Sequence, residues 1–329
     1  MRLGFIVGSL IVVLLVGWQG VATIADRFGD LGWGILLVAF FIPPDLFLRA
    51  ASFHLLFAPG RAPRFGDTTL ATWIGSSINF LLPVATVGGE FIKARVLTLR
   101  GTRGVDAAAS VILDLTVQSL SVLLWAVIGI ALLIAVAPAD EPMVIVAIVG
   151  TVLLALGIAG FVLVQCAGAF GRFARPATRA LSASKWQSLL DGATDLDATI
   201  RNLYRRPGVI TLSTLLRLAK RAVRGGEVWF IAWLLGYPIG LGEAVMLNSL
   251  AVALRAAAFA VPGGLGVQEG GYIMVGALIG MPPDLMLTLS LATRLGELIE
   301  GLPGLAAWQF AESRIYWRNR RSVPSGPPS

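Results

Sequence analysis

Two apolar stretches of this chain are interrupted in the same way: LLPVATVGGE ends on Glu90, seven residues after Pro83, and AVPGGLGVQEGG carries Glu269 seven residues after Pro262. A proline that cannot continue a helix, a run of small residues and an acid beside a glycine pair describe backbone broken inside an apolar segment. A break facing lipid would strand N–H and C=O groups with no water to satisfy them, so both breaks must be buried in protein or line a cavity. Interruptions at matching places in two halves of a chain point to a binding site near the bilayer midplane, the arrangement of transporters built from repeats.

The surroundings of these breaks fix the class. With 56% hydrophobic and 14% charged residues and a mean hydropathy of +0.80, the 329-residue chain is too apolar for a soluble domain, and apolar runs near the length of a bilayer-spanning helix recur along it. The reading is an all-α polytopic membrane protein. Cys166 and His54 are the only residues of their kinds, which leaves no disulfide within the chain and no Cys/His metal site or His-based triad. No G-x-x-x-x-G-K-[ST] motif occurs, and GLGVQEGG departs from the dinucleotide fingerprint in its last glycine. ATP is therefore not expected as the energy source, and no cofactor is expected.

Segment length and helix breakers place six full spans at 3–23, 31–57, 105–137, 142–168, 207–236 and 284–311, with the two interrupted segments, 68–99 and 240–280, as helical hairpins that enter and leave on one side. The first apolar stretch is longer than a signal-peptide core and lacks an A-x-A site, so it reads as an uncleaved span. Under this topology eighteen basic residues, Lys93 and Arg95 among them, fall on one side and Arg27 alone on the other. The positive-inside rule makes the eighteen, and both termini, cytoplasmic. The halves 1–169 and 207–313 then carry the same elements in opposite sense, an inverted repeat. Pro43-Pro44-Asp45 and Gly225-Gly226-Glu227 read as matching breaks, and Asp114 and Arg294 stand 31 and 32 residues after the two prolines. Between the halves, 170–206 has Trp186, Leu189, Leu190, Leu196, Ile200 and Leu203 at helical spacing, as an amphipathic connector resting on the membrane surface would. The segment 314–329 is a basic, then disordered, tail.

Seven cations fall inside predicted spans: Arg49, Arg217, Lys220, Arg221, Arg224, Arg255 and Arg294. Charge at membrane depth is costly, so each should face an interior cavity and have a partner. Arg217, Lys220, Arg221 and Arg224 share one helix face at i, i+3, i+4 and i+7. They suggest an anion-binding face, or structural pairing with Asp114, Glu227, Glu297 or Glu300. New half-helices are expected to start near Gly88-Gly89 and Val267-Gln268, pointing backbone N–H groups at the midplane. The candidate substrate-binding set therefore joins Arg217, Lys220, Arg221, Arg224, Arg255 and Arg294, without Arg49, to Asn79, Pro83, Gly88, Gly89, Glu90, Pro262, Gly263, Gly264, Gln268 and Glu269. Glu90 and Glu269 are expected to cap a helix or hold a nearby arginine, with proton-coupled gating as the alternative; Asn79 is expected to satisfy broken backbone.

Across WIGSSINFLLPVATVGGEFIKARVL and FAVPGGLGVQEGGYIMVGALIGMPPDL the chain resembles the flippase-like membrane region of lysylphosphatidylglycerol synthases, and within it the hopanoid-associated HpnL-type family. The positions typical of that group are Asn79, Pro83, Gly88, Gly89, Glu90 and Arg95, then Pro262, Gly263, Gly264, Gln268, Glu269, Gly270 and Gly271. The resemblance implies a bacterial inner-membrane protein that handles or translocates a lipid, either a hopanoid or an anionic phospholipid. The sequence ends at Ser329, so the soluble aminoacyl-transfer domain of the synthases is expected to be absent and their activity is not carried over. The expected function is a lipid flippase that works by alternating access. Its expected partners are membrane lipids and lipid-synthesis enzymes, not nucleic acid. The alternatives are a non-catalytic scaffold of a lipid-synthesis complex and a headgroup-modifying membrane enzyme with Glu90 or Glu269 as general acid/base.

Overall fold

The structure, a computed structural model, describes residues 32–82, 88–136, 195–257 and 265–321, with isolated positions at 29 and between 145 and 163. The expected span 3–23, most of 142–168, the connector from 170 to 194 and the tail beyond 321 lie outside the described residues.

Among the described residues every regular element is a helix. A 3-10 stretch, Gly32–Phe41, runs into α1, Ile42–Leu55. Pro43 and Pro44 sit in its first turn, where a missing N–H costs nothing, so they start an α-helix and do not break the span. α2, Phe65–Leu81, and α3, Gly88–Leu99, form the first hairpin; α4, Gly104–Val136, follows. In the second half α5 is Pro207–Leu234, α6 is Leu241–Ala257, α7 is Val267–Leu278 and α8 is Pro283–Arg321. Both half-helices thus begin where the sequence places them. Gly32–Leu55 and Gly104–Ala135 are long and apolar enough to cross a membrane. Charge on α5 and α8 lowers their hydropathy instead.

The expected break at Gly225-Gly226-Glu227 does not exist: α5 runs through it without interruption. These glycines admit neighbours. A Cβ at Gly225 would lie 3.2 Å from Val245 Cγ2, and one at Gly226 would lie 3.6 Å from Phe41 Cε1. A helix tolerates glycine at a modest cost that close packing offsets.

α1 and α5 cross in antiparallel fashion, as three levels of contact show: the Phe41 ring lies tilted against Phe230 with centroids 5.8 Å apart, Arg224 Nε donates to Asp45 Oδ1 at 3.0 Å, and Ser52 meets Ser213. At the last level each serine hydroxyl donates to the other's backbone carbonyl at 3.0 Å. Around this crossing the packing is reciprocal. The helix after the first hairpin, α4, packs on the first arm of the second hairpin, α6; the helix after the second hairpin, α8, packs on the first arm of the first, α2. The apolar interior divides accordingly, with Phe53, Ile74, Leu97, Leu113 and Val117 in one core and Val228, Ile231, Leu247, Tyr272 and Leu289 in the other.

The described end of the connector, helical over 195–204, packs one face against the helices. Ile200 and Leu203 are buried in the first of these cores, Tyr204 Oη lies 3.0 Å from Thr116 Oγ1, and Arg206 donates to the Phe57 carbonyl at 2.9 Å. The apolar stripe read from the sequence faces protein here, because the neighbouring helices offer it an apolar groove.

Candidate functional site

The two hairpins, the crossing of α1 and α5, and the flanking helices α4 and α8 border a partly open cavity of about 430 Å³. Its wall contains cations from four helices: Arg49 on α1, Lys93 on α3, four on α5 (Arg217, Lys220, Arg221, Arg224) and Arg255 on α6. Glu90, Glu227 and Glu297 are the carboxylates in that wall; neutral hydrogen-bonding groups such as Thr72, Ser76, Asn79, Gln118, Ser121, Asn248, Gln268, Tyr272 and Thr293 share the rest with apolar side chains, Phe80, Leu115 and Val122 among them.

Of the residues nominated from sequence, Asn79, Glu90, Arg217, Lys220, Arg221, Arg224, Arg255 and Gln268 line the cavity, together with Glu227 and Glu297. Gly88, Gly89, Glu269 and Arg294 do not line it, and Asp114 and Glu300 stand behind the wall as partners of its cations. Pro83, Pro262, Gly263 and Gly264 lie outside the described residues.

The cations are held in networks. Around α1, Asp45 accepts a hydrogen bond from Arg224 at 3.0 Å and forms ion pairs with Arg49 at 2.6 Å and Lys220 at 3.5 Å, while Arg224 also reaches Glu227 at 2.7 Å and Glu300 at 2.9 Å. Arg49 pairs with Glu300 as well, and its other branch donates to Ser76. On the first-hairpin side Asp114 binds Arg217 at 2.5 Å and Lys93 at 2.8 Å, and Lys93 also meets Glu90 at 2.6 Å and the face of Phe53 at 4.7 Å. On the second-hairpin side Arg255 donates to Glu297 at 2.8 Å and Gln268 at 2.7 Å, and the Gln268 amide donates to Ser290 Oγ at 3.1 Å and Thr293 Oγ1 at 3.2 Å. Charge-assisted bonds of this kind keep ionised groups stable away from water.

Lys93 corrects the sequence reading. Counted there as a cytoplasmic loop residue, it is 3% exposed and sits in the cavity wall. Arg49, seen as an interior cation, was not carried into the binding set, and Asp45 was read only as part of a break although it is the acceptor shared by three cations. One sequence signal could have found both: Asp45 and Arg49 stand at i and i+4, an ion-pair spacing inside an apolar helix.

The hairpin ends also revise the idea of free helix dipoles. Asn79 Oδ1 accepts the Gly89 N–H at 2.8 Å, which is the backbone role expected of it. Glu269 Oε2 accepts the Gly266 N–H at 2.8 Å, and the same carboxylate holds Arg294. Acceptors of the chain itself thus occupy N–H groups at both half-helix starts, and the positive charge offered to a ligand comes from side chains.

The family model described as the lysylphosphatidylglycerol synthase TM region matches residues 5–302. The chain belongs to that family. It is accordingly a membrane protein of a lipid-related superfamily. No curated protein and no solved structure matches it.

Proposed function

We propose that this member of the family translocates an amphipathic lipid between leaflets, with the headgroup in the cavity and the acyl chains outside it. The halves act as an inverted repeat in the bacterial inner membrane, with both termini cytoplasmic, and rock about the α1–α5 crossing to expose the cavity alternately. The antiparallel crossing and the reciprocal packing of α4 on α6 and α8 on α2 support this reading. The observation that carries it is the cavity itself: a space of about 430 Å³ between the hairpins, lined by seven cations together with apolar and neutral polar groups, in a chain with a mean hydropathy of +0.80. Buried charge of this density in a membrane protein is costly and marks a substrate pathway.

Translocation of a fluorescent phospholipid in proteoliposomes tests it. Lys220→Ala is the informative variant, because Lys220 reaches Asp45 only at 3.5 Å and Asp45 keeps Arg49 and Arg224 without it. It should fold and lose at least about tenfold in rate, a change of 1.4 kcal/mol in the barrier. Arg224→Ala is a poor test, since Arg224 ties Asp45, Glu227 and Glu300 together and its loss leaves three carboxylates short of a partner. No movement in wild type would favour a scaffold, and a chemically altered lipid would favour an enzyme.

A further inference from the structure

Arg221 differs from the other cations of the cavity wall: among the described residues it has no carboxylate partner. Its side chain is 8% exposed, and its hydrogen bond is from Nε to the Ser121 hydroxyl at 3.1 Å. The adjacent Lys220 has only the long 3.5 Å contact to an Asp45 that also serves Arg49 and Arg224. The wall holds seven cations, set against three carboxylates in the wall and three more, Asp45, Asp114 and Glu300, directly behind it. By formal charge the assembly is one negative charge short, and Arg221 is its one cation with no carboxylate contact among the described residues.

A buried guanidinium without a counter-charge is strongly destabilising, so this site recruits an anion. Its chemistry is defined by what is present. The guanidinium fork left over after Nε is spent on Ser121 matches two oxygens of a phosphate, and an ammonium point charge stands on the preceding residue. The cavity, about 430 Å³, is far larger than a simple halide and falls within the range of small-molecule sites. The shortfall of a single charge selects a monoanion. A zwitterionic headgroup brings its own cation in with its phosphate and leaves the net excess in place, an uncharged hopanoid supplies no counter-charge, and a net-cationic headgroup adds to the excess.

We propose that Arg221, with Lys220 beside it, seats one singly charged phosphate group, supplied by the phosphodiester of an anionic lipid headgroup or by free phosphate. The site deepens the translocation reading and rests on it only for the lipid as the source.

The test is thermal unfolding of the purified full-length protein in detergent, with short-chain phosphatidylglycerol, short-chain phosphatidylcholine and inorganic phosphate as probes. Phosphatidylglycerol should raise the wild-type Tm by about 3 °C or more at saturating excess, and phosphatidylcholine by less than about 1 °C. Arg221→Gln keeps an amide for Ser121 and removes the uncompensated charge. Without ligand its Tm should equal or exceed that of wild type, and its response to phosphatidylglycerol should vanish. Arg217→Gln, which strips a partner from Asp114, should lower the ligand-free Tm, separating loss of a structural cation from loss of this one. If inorganic phosphate reproduces the Arg221-dependent shift, the source is free phosphate; if only the lipid does, it is a headgroup. An equal shift with phosphatidylcholine, no shift of wild type with either phosphate probe, an undiminished shift in Arg221→Gln, or a ligand-free Tm of that variant well below wild type overturns the proposal. Arg221-dependent binding without translocation in proteoliposomes would sink the transport reading and leave the site; translocation without such binding would do the reverse.

Discussion

The two hairpins solve the same backbone problem with different chemistry. In the first, an amide from the arm before the break, Asn79, accepts the Gly89 N–H, and Glu90 is turned toward Lys93 on its own helix. In the second, the acid at the matching place, Glu269, takes the Gly266 N–H itself and reaches out to Arg294 on α8. Backbone proximity differs too. A Cβ on Gly89 would sit 2.0 Å from the Gly75 carbonyl oxygen, whereas one on Gly271 would meet only the tip of Leu254, at 2.8 Å. The repeated motif constrains where the chain breaks, and each hairpin recruits its own partners to close the break.

The sharpest way to break this comparison is a methyl group. Gly89→Ala drives a Cβ into backbone that cannot move without opening the hairpin, so it should cost about 4 kcal/mol or more, or abolish folding. Gly271→Ala should cost about 1–2 kcal/mol, since a leucine tip can rotate away. Unfolding in detergent micelles compares them, and equal losses would show that the two arms are packed alike. Next in size is the pair of acids. Glu269→Gln removes a fully buried carboxylate shared by Arg294 and the Gly266 N–H and should cost about 3 kcal/mol. Glu90→Gln should cost about 1 kcal/mol, because Lys93 keeps Asp114 at 2.8 Å. A reversed order in the same unfolding measurement would mean that the first hairpin, not the second, depends on its acid. The smallest effect should be Gly270→Ala, with open space around the new Cβ: a gain of up to about 1 kcal/mol from helix propensity. A loss there would reveal a neighbour that the hairpin comparison overlooks.

What the sequence made legible follows from what is local. Breaks are local events, so the proline and glycine runs located both half-helix starts, at Gly88 and Val267. Four cations at helical spacing on α5 were legible as one face, and all four line the cavity. The pairing scheme was not legible, because it is made between segments far apart: Arg49 with Glu300 spans 251 residues, and Arg224 with Asp45 spans 179. Lys93 was misplaced because basic residues at the end of a hairpin look like the cytoplasmic loop that follows, and only the position of Asp114 on α4 shows that one of them turns inward. Gly225-Gly226 misled for a related reason. A glycine pair reads as a stop until Val245 and Phe41 are seen lying against it.

The mutual serine contact between α1 and α5 has a mechanical corollary. Two uncharged hydroxyls clasp opposite carbonyls at one level of the crossing, while the ion pairs of Asp45 lie nearly two helical turns away along the same seam. A clasp at one point resists sliding but permits tilt. Leverage about that fulcrum would stretch the Asp45 contacts well before it parted the serines, making them the latch and the clasp the hinge pin.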